Sequence, residues 1–591
     1  MRPRVHTESI LILCLTILLF LTPSVSGAQH TVPPGIDPGT FLEQEKELAP
    51  RQLRPGAPPI IRPETTVSPR KEGASDLTVR VKEFHIEGTI TAFTRKELYD
   101  LVKDLVGREL GMDGLQLAAD RITNYYRNKG YFLARAVLQK QDITEGIIII
   151  TVIEGVLEDD VKDGGIRVNG TNVRLNEEVI RKTIHSAAPP GKALKQEQLE
   201  RGLLILNDVP GFNSSANLEP GKTPGTSRLV IDAKEASLFN LYAMFDNYGN
   251  RYTGSSRASA GINLNDLTGR GDQLAVGGNK TVDGDYYYVS GSYTRPFGYS
   301  GLNLGISYNR LEYKVGEELK DLGSKGSADN LNLNARYPLI KNRFSTLLFT
   351  ASYDWKKLES FALDTRISDR RINAFNAGLL YYGTDRFAGG GFNQLGITLT
   401  AGILDLANME ANLDADRATA KTNGSYGKAV FNISRLQKVN ERINFFLSSS
   451  GQISGKNLDT AEKFVLGGPT GVRAYPASEG IGDWGVKASA EFRWNALTNM
   501  PVGDLQFISF YDFGMIRQYY NVWDNTGLTV PNSYTLQGAG FGMSVGKTGR
   551  YDARLMYAFK IGNNPGANAQ GNDSDGKSYN GRIWFQLSAM F

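Results

Sequence analysis

The sequence predicts a transmembrane β-barrel of about sixteen antiparallel strands that follows two α+β domains and a short N-terminal helix. Three observations predict this fold. Residues 236–591 alternate between apolar and polar side chains with a period of two. Residues 77–235 contain two consecutive units with one order of elements. The composition combines 65 Gly and 10% aromatic residues with only 41% apolar residues, which is typical of strands with one face in lipid and one in water.

Residues 1–28 have the pattern of a secretory signal peptide. Two arginines precede an apolar core at residues 10–21, and small residues up to Ala28 follow a proline. The core holds about a dozen residues and is too short to span roughly 30 Å of hydrocarbon. We therefore expect an exported protein. The chain's one cysteine, Cys14, would leave with the signal, so neither disulfides nor cysteine-based metal or redox chemistry is expected.

Residues 29–76 predict one helix and a proline-rich linker. Asp37 and Pro38 form a helix-start signal, and Pro50 ends the run. One side of this helix would carry Phe41, Leu42, Glu45 and Leu48. Proline is frequent at residues 51–75, which favours an extended, semi-rigid tether. From the residues alone, a docked helix and a disordered spacer both remain open.

Residues 77–157 predict a compact α+β domain with the order β-α-α-β-β. Thr94 and Glu97 form a capping-box signature for its first helix. Residues 158–235 repeat the same order of elements. Two consecutive units with one pattern indicate a tandem array.

Residues 236–591 predict the barrel itself. In the last segment Ile583 and Leu587 fall on one face, and Arg582 and Gln586 fall on the other. Such segments are centred near residues 242, 259, 276, 290, 306, 333, 350, 376, 396, 429, 447, 489, 510, 541, 556 and 586. An even count lets the barrel close, and closure pairs the edge strands that lipid cannot satisfy. No run of roughly 18 apolar residues follows the signal, so an exported chain with this pattern is expected in the outer membrane.

The formal net charge of +4 over 591 residues indicates no polyanionic partner, so we expect no nucleic-acid binding. The expected surroundings are outer-membrane lipid, and the expected state is a monomer. The four histidines, His6, His30, His85 and His185, lie in separate segments and support no metal cluster. No nucleophile motif or phosphate-binding loop stands out, so we expect no cofactor and no enzymatic activity.

The longest interval between predicted strands covers residues 455–483 and reads FVLGGPTGVRAYP at residues 464–476. Its apolar residues, glycine pair and isolated arginine are unusual for an extracellular loop and indicate packing. A loop that folded into the lumen would desolvate Arg473, which would then need a carboxylate partner. Asp512 on the thirteenth segment is a candidate, and Glu491 on the twelfth competes with it. Spacing leaves both partners open.

The loop sequence, followed by GDWG at residues 482–485, resembles the loop signature of the outer-membrane transporters of two-partner secretion, the haemolysin secretion/activation family. The matching positions are Gly467, Gly468, Val472, Arg473, Ala474 and Tyr475. The family usually has glycine where this chain has Ala474, which puts in doubt a tight turn with positive φ there. FYDFG at residues 510–514 resembles the matching strand motif, so the resemblance implies a salt bridge between Arg473 and Asp512.

The resemblance covers nearly all of the mature chain. GY at residues 130–131 and VIEG at 152–155 resemble the first polypeptide-transport-associated (POTRA) domain of the family, and LLILNDVPG at 203–211 resembles the second. The helix at residues 38–49 resembles the family's plug helix, which favours the docked helix over the spacer. The terminal Phe591 resembles the signal that the barrel-assembly machinery reads, and it also fits a last lipid-facing residue.

The resemblance implies a role in type V secretion. The barrel would export a large partner exoprotein with an N-terminal secretion domain, such as a haemolysin or an adhesin. The periplasmic POTRA domains would capture the unfolded exoprotein by adding its strands to an exposed sheet edge. The exoprotein would then pass through the barrel once the plug, with or without the loop, has shifted. Its folding outside the cell would supply the free energy. The sequence does not identify the cargo or say whether transport activates it.

A barrel-assembly insertase is the main alternative, because such proteins share the domain types and the loop arginine. They usually carry more docking domains and lack the plug helix, so two domains and a helix favour secretion. An outer-membrane enzyme fits less well because no catalytic motif stands out. A passive porin fits less well because it has no need of tandem domains.

Overall fold

The structure is a computed structural model, and it describes residues 32–33, 35–48, 61–63, 78–159, 164–171, 173–524, 526 and 528–591. For residues 61–63 only the backbone path is described. The predicted signal peptide and most of the predicted linker lie outside the described residues. The described chain holds a helix, two α+β domains and a barrel.

The N-terminal segment contributes helix α1 (Pro38–Leu48) and a short strand, β1 (Ile61–Pro63). Asp37 precedes α1, and its side chain accepts the backbone N–H of Gly39 at 2.8 Å. This contact satisfies one of the free donors at the start of the helix. Helix α1 lies inside the barrel, where Phe41 and Leu42 are buried.

The first α+β domain consists of β2 (Val79–Arg80), β3 (Glu83–Glu87), α2 (Arg95–Asp100), a 3-10 turn (Lys103–Leu105), β4 (Glu109–Leu110), α3 (Met112–Asn128), β5 (Arg135–Val137) and β6 (Ile147–Ile153). Its main sheet has the order β3–β6–β5. Ile148 and Ile150 alternate inward from β6 and pack with Ile122 of α3, which gives the domain its own core. Thr94 caps α2 through a complete capping box with Glu97.

The second α+β domain consists of β7 (Val156–Leu157), β8 (Ile166–Asn169), α4 (Glu177–Ala187), α5 (Gln196–Asn207), β9 (Phe212–Pro220) and β10 (Thr226–Glu235). Strand β10 pairs in parallel with β7 and β8 and antiparallel with β9. The linker strand β1 adds to β9 in parallel, with Ile61 opposite Ala216. This part of the sheet edge is therefore covered by the chain's own linker.

The barrel is closed by sixteen antiparallel strands, so the predicted fold class is confirmed. They are β11 (Phe239–Asp246), β12 (Arg257–Asn265), β13 (Gln273–Thr281), β14 (Asp285–Phe297), β15 (Leu302–Lys314), β16 (Lys325–Lys341), β17 (Ser345–Ala362), β18 (Thr365–Asp385), β19 (Gly391–Asp405), β20 (Gly424–Lys438), β21 (Ile443–Ser454), β24 (Trp484–Leu497), β25 (Asp504–Arg517), β26 (Ser533–Lys547), β27 (Tyr551–Lys560) and β28 (Gly581–Met590). Each of the sixteen predicted centres falls within one of these strands. Strand β28 pairs with β11, with Met590 opposite Tyr242, which closes the cylinder.

The segments between barrel strands contain a few further elements. They are a 3-10 turn (Glu317–Leu322), a 3-10 turn (Phe387–Gly389), helix α6 (Glu410–Ala418), a 3-10 turn (Thr460–Glu462), β22 (Phe464–Val465) and β23 (Ile481–Gly482). The last three belong to the loop of residues 455–483. Strands β22 and β23 pair with each other and form a small ribbon inside that loop.

The barrel strands alternate between an outer and an inner face. In β25 Phe507, Tyr511 and Met515 are exposed on the outside, whereas Ile508 and Asp512 are buried inside. Among the described helices, none has both the length and the apolar character that a membrane crossing requires.

The second α+β domain is docked on one end of the barrel. Arg201 of α5 donates to the carbonyl of Pro338 at 2.7 Å, and Lys341 pairs with Asp208 at 2.7 Å. Glu200 of α5 pairs with Arg343 in the same turn between β16 and β17. These contacts define a domain end and a far end of the barrel.

Candidate functional site: the barrel lumen

The loop of residues 455–483, called the lumenal loop below, folds back from the far end into the lumen. Its side chains form an apolar cluster with the inner faces of β25, β26, β27 and β28. The buried members of this cluster are Tyr248, Phe464, Leu466, Val472, Ala474, Tyr475, Ile508, Phe510, Ile516, Tyr534, Leu536, Met556, Ala558 and Trp584. The apolar loop sequence is thus used to fill one side of the bore.

The structure brings Arg473 and Asp512 together at the centre of this cluster. The guanidinium donates from Nε to Asp512 Oδ2 at 2.8 Å and from Nη2 to Asp512 Oδ1 at 2.6 Å. Arg473 is 5% exposed and Asp512 is 0% exposed. Two parallel hydrogen bonds of this kind fix both the position and the orientation of the arginine.

Glu491, the competing acid of the sequence prediction, also contacts Arg473. Arg473 Nη1 donates to Glu491 Oε1 at 2.6 Å, and Arg493 Nε donates to Glu491 Oε2 at 2.8 Å. The two acids and two bases make a neutral network within the wall and the loop. A neutral network with all charges paired limits the cost of burying them.

Two aromatic residues that were not predicted to contact the arginine complete its site. The guanidinium carbon of Arg473 lies 3.5 Å from the ring centroid of Phe510, which is a cation–π contact. Trp584 Nε1 donates to the carbonyl of Arg473 at 2.7 Å. Trp584 lies on the last strand, and its ring packs edge-on against Tyr248 beyond the first strand. The one feature of the sequence that could have indicated this role for Trp584 is an aromatic residue at an inward position of the last strand.

The remaining predicted loop residues shape the turn around Arg473. Gly467 and Val472 form a parallel bridge, and Gly468 has φ +113°, which favours glycine. Val472, Ala474 and Tyr475 are fully buried. Ala474 is not in the left-handed region, so the alanine needs no strained backbone.

Ala474 fits because the wall opposite it is a glycine. A Cβ built on Gly538 of β26 would lie 2.6 Å from the Ala474 Cβ, which is far inside van der Waals contact. The extra methyl group of the loop is thus accommodated by the missing side chain of the wall.

Helix α1 lies beside the lumenal loop inside the bore and is held by acid–base contacts. Each of its acids and the preceding aspartate meets a different base of the barrel wall. The contacts are Asp37–Arg370 at 2.6 Å, Glu43–Lys356 at 2.9 Å, Glu45–Arg257 at 3.1 Å and Glu47–Lys487 at 3.0 Å. These four bases lie on β18, β17, β12 and β24, so the helix is held from around the barrel.

Three of these bases also hold a second acid that does not belong to the helix. Arg370 pairs with Asp459 of the lumenal loop at 2.9 Å. Lys356 pairs with Glu462 of the loop at 2.7 Å. Arg257 pairs with Asp246 of β11 at 2.8 Å. The helix thus shares its partners with the loop and the wall.

Close packing between the helix and the loop adds to the shared charges. A Cβ on Gly39 would lie 2.2 Å from the Ala461 Cβ. On the opposite side, the ring of Phe41 meets Tyr286 and Tyr313 at centroid distances of 5.6 Å and 4.9 Å. The helix can sit at this depth because residue 39 has no side chain.

A polar cavity of about 590 Å³ lies between α1 and the wall formed by β14–β20. Its lining is rich in hydroxyl and amide side chains, among them Ser292, Thr294, Asn332, Thr350, Asn376 and Thr400. Thr294 and Arg336 place it on the domain-end side of the helix. We call this space the vestibule.

The terminal residue, Phe591, lies on the outside of the barrel and is 75% exposed. Its backbone carbonyl accepts from Leu241 N at 3.1 Å, and its N–H donates to Leu241 O at 2.9 Å. The last residue thus belongs to the closing seam. Its role as an assembly signal stays a prediction.

Within the described ranges, no group of three or more His, Cys, Asp or Glu side chains is arranged to hold a metal ion. The two histidines in those ranges, His85 and His185, lie in different α+β domains. The charged side chains described in the lumen form ion pairs with one another.

Comparison with known proteins decides the family. The sequence model of the haemolysin secretion/activation proteins ShlB/FhaC/HecB matches residues 225–545, which is more than half of the chain. The chain belongs to this family. A model of the ShlB-type POTRA domain matches residues 79–155, so the first α+β domain is a POTRA domain.

Curated relatives of this secretion family cover most of the chain. The heme/hemopexin transporter protein HuxB of Haemophilus influenzae (strain 86-028NP) is 29% identical over 79% of this chain and 81% of its own length. The outer membrane transporter CdiB of Escherichia coli O6:K15:H31 is 24% identical over 90% of this chain and 87% of its own length. The family thus decides for a transporter over the barrel-assembly alternative.

Solved structures of relatives share the fold. CdiB from Escherichia coli has a TM-score of 0.74 at 21% identity and covers 95% of this chain and 100% of its own. CdiB from Acinetobacter baumannii has a TM-score of 0.64 at 18% identity, covering 94% and 97%. As a two-partner secretion transporter the chain lies in the outer membrane, so the domain end of the barrel is periplasmic and the far end extracellular.

Proposed function

We propose that this chain exports a large partner exoprotein, such as a haemolysin or an adhesin, by exchanging the plug helix α1 for the unfolded exoprotein inside the barrel. The observation that carries the proposal is the sharing of bases described above. When α1 leaves, Arg370, Lys356 and Arg257 keep Asp459, Glu462 and Asp246 as partners. Breaking a buried ion pair is costly mainly because it leaves a charge unpaired.

The fourth base, Lys487, is the exception among the helix partners. Its one described ion pair is with Glu47, a residue whose side chain is 39% exposed. Lys487 itself is 12% exposed while α1 is in place. Departure of α1 would leave this one base without an acid and would expose it to the water that enters the bore.

The vestibule provides a route from the periplasm to the helix. Its wall offers donors and acceptors at short spacing, for example Thr400 Oγ1 donating to Asn376 Oδ1 at 2.7 Å. An extended polypeptide can hydrogen-bond to such groups in turn without binding any of them tightly. A wall of hydroxyls and amides thus suits passage rather than retention.

Capture of the exoprotein belongs to the periplasmic domains. Strand addition supplies backbone hydrogen bonds to any extended segment, and neighbouring grooves add selectivity. Strand β3 is an edge of the first domain's sheet, and it lines a cavity of about 380 Å³ with Phe84 and Tyr99. In the second domain the edge at β9 is covered by the linker strand β1, which is joined in sequence to α1. Movement of α1 would then uncover that edge.

We infer a monomer that depends on the barrel-assembly machinery for insertion and works without a cofactor or a catalytic step. Cargo with an N-terminal secretion domain fits the family. HuxB is named a heme/hemopexin transporter, and a hemopexin-binding exoprotein is one cargo of the proposed class. Deleting the gene should remove one large exoprotein from the culture medium, and an unchanged set of secreted proteins would count against export.

A reversible crosslink tests the exchange of helix for cargo. Glu45 of α1 accepts from Asn279 Nδ2 of β13 at 2.9 Å. In a Glu45→Cys/Asn279→Cys variant, a short thiol crosslinker should hold the helix in the bore. We expect secretion to stop on crosslinking and to return on release of the linker.

The matched control ties two neighbouring wall strands and leaves the helix free. Gln506 Nε2 donates to Asn495 Oδ1 at 2.7 Å across β24 and β25, away from the vestibule. An Asn495→Cys/Gln506→Cys variant should secrete with its crosslink closed. Undiminished secretion by the crosslinked helix variant would overturn the exchange of helix for cargo.

A further inference from the structure

The outer face of strands β15–β18 differs from the rest of the barrel near its extracellular end. On β21 and β24 the outward positions nearest that end are apolar, namely Ile453 and Trp484. On β15–β18 outward positions carry ionisable side chains instead. A charge that faces outward at the bilayer centre costs about 2–4 kcal/mol, so these residues belong at the head-group level.

Four of these outward residues and Asp405 of β19 form one continuous row across neighbouring strands. The register places Arg310 opposite Asp329, Asp329 opposite Lys357, Lys357 opposite Arg371, and Arg371 opposite Asp405. With about 4.8 Å between strands, the row is about 20 Å wide. We call it the charged row.

The level of the charged row in the membrane is given by the residues directly below it. Two positions along each strand towards the periplasm, the next outward-facing residues are Tyr308, Leu331, Trp355, Asn373 and Ile403. Aromatic residues of this kind mark the membrane interface in barrels. The hydroxyl of Tyr308 donates a hydrogen bond to Asp329 of the charged row. The part of the charged row directly above Tyr308 and Trp355 therefore lies at the head-group level of the outer leaflet.

Pairing within the row leaves positive charge available. Arg310 pairs with Asp329 at 2.9 Å, and Lys357 pairs with Glu359, one outward step above the row, at 2.9 Å. Within the described residues Arg371 is exposed and takes part in no ion pair. It lies between Lys357 on β17 and Asp405 on β19, so the row holds three bases and two acids and keeps one positive charge in excess. An anion at this level would balance that excess.

Two further levels of charge lie above the row. The next outward-facing positions towards the extracellular end are occupied by the acids Glu312, Glu359 and Asp369. The outward-facing positions beyond those are occupied by the bases Lys314, Lys325 and Arg366. The acids pair with bases of the neighbouring levels: Glu312 with Arg310, Glu359 with Lys357 and Arg366, and Asp369 with Arg366. Bases bind phosphate oxygens. A ligand with more than one phosphate fits such alternating levels.

We propose that the outer face of β15–β18 binds the phosphorylated head group of the outer-leaflet glycolipid, lipid A of lipopolysaccharide. Lys357 and Arg371 bind one phosphate between them, and the upper bases bind another. This site is independent of the export function, since it faces lipid rather than the bore.

Native mass spectrometry of the full chain in detergent, with diphosphoryl lipid A as the probe, tests this site. The Lys357→Gln/Arg371→Gln variant should bind lipid A at least five-fold more weakly than the wild type. The matched control is Arg295→Gln/Lys547→Gln, which removes two charges from the periplasmic ends of β14 and β26. The control should bind like the wild type. All variants should show the same heat-modifiable migration, which reports a folded barrel.

Each other outcome overturns the proposal. Equal binding by the wild type and the Lys357→Gln/Arg371→Gln variant means that the row is not the site. Equal weakening in the control means that only net charge matters. Equal binding of dephosphorylated lipid A rules out phosphate recognition. Equal competition by phosphatidylglycerol means that the face binds any anionic lipid, and the assignment to the glycolipid fails.

Discussion

The lumenal loop and the plug helix occupy the same bore but are held there by different forces. The loop is anchored at both ends by barrel strands, and its Arg473 is the centre of an apolar cluster. The helix is held by acids that reach bases of the wall. In the loop, one arginine is shared by two acids of the wall, Asp512 and Glu491. Around the helix, each of three wall bases is shared by an acid of the helix segment and a second acid of the loop or the wall.

This difference predicts which occupant can leave. Removal of the loop would strand Asp512, whose side chain is 1% exposed, without its cation. Removal of the helix leaves Arg370, Lys356 and Arg257 each with another acid. We therefore expect the loop to stay in the bore and the helix to leave it, because only the helix has wall partners, these three bases, that each keep a second acid.

The largest effect is expected from Arg473→Ala. The substitution leaves two buried acids without their arginine, which costs about 3–5 kcal/mol when one partner of a buried pair is removed. Secretion should fall more than ten-fold, while the barrel still assembles with a lower midpoint of heat-induced unfolding in gel-shift assays. Arg473→Lys should rescue little, because an ammonium group cannot make both hydrogen bonds to Asp512. Wild-type secretion by Arg473→Ala would break the comparison.

A clash against the loop should have the next largest effect. Gly538→Ala would place a Cβ 2.6 Å from Ala474, and overpacking of this kind costs about 1–3 kcal/mol. The midpoint of heat-induced unfolding should fall. Ala474→Gly in the same chain removes the clashing methyl group and should restore it. If the double variant is no more stable than Gly538→Ala alone, the loop is not seated against β26 as described.

The equivalent clash at the helix should raise the ion conductance of the bore without lowering the stability of the barrel. Gly39→Ala would place a Cβ 2.2 Å from Ala461 and push α1 out of its seat. Since alanine favours helix formation by about 1 kcal/mol over glycine, any effect is not due to melting of the helix. Ion conductance in planar bilayers should rise several-fold, with the unfolding midpoint unchanged.

Ala461→Gly provides the matched rescue for this variant. The Gly39→Ala/Ala461→Gly chain should return to the low conductance of the wild type. A lowered unfolding midpoint in Gly39→Ala would mean that the helix is as structural as the loop, and the distinction would fail.

The smallest effect is expected from pH, at the extracellular part of the loop. Burial raises the pKa of Glu479 to about 6, and its carboxylate accepts from Asn564 and Ser574 with Asp573 nearby. Because the folded-state pKa exceeds the usual 4.5, this group favours the folded loop fully below pH 4.5. That contribution is lost as pH rises through about 6.

Comparison with Glu479→Gln isolates this contribution from the other carboxylates. The wild type should lose more of its unfolding midpoint between pH 4.5 and pH 7 than the variant does. Identical pH profiles for the two proteins would exclude a titrating contact at this position.

Much of the fold could be read from the sequence because lipid imposes a simple local rule. Each strand must alternate between an apolar and a wet face, and the period of two appears in every segment. The interval at residues 455–483 stood out for the same reason, since its apolar residues fit neither a strand nor an extracellular loop. Family resemblance then singled out Asp512 as the partner of Arg473, although spacing alone had left Glu491 open.

Other parts of the site could not be predicted from periodicity. The inward direction of Arg257, Lys356, Arg370 and Lys487 follows from alternation, but their meeting around one helix does not. Their positions around the cylinder depend on strand tilt and on the stagger of every strand pair between them. Trp584 illustrates the limit, because its contact with Arg473 joins residues 111 positions apart across the closing seam.

By itself the sequence determined an exported barrel of about sixteen strands, its two domains and its unusual loop, because these features rest on local alternation and spacing. The closed tertiary structure decided that both acids share Arg473 and that the helix shares its bases with the loop and the wall. Charges that are far apart in the chain become neighbours when a sheet closes. Only their final distances determine which pairs survive when the helix leaves.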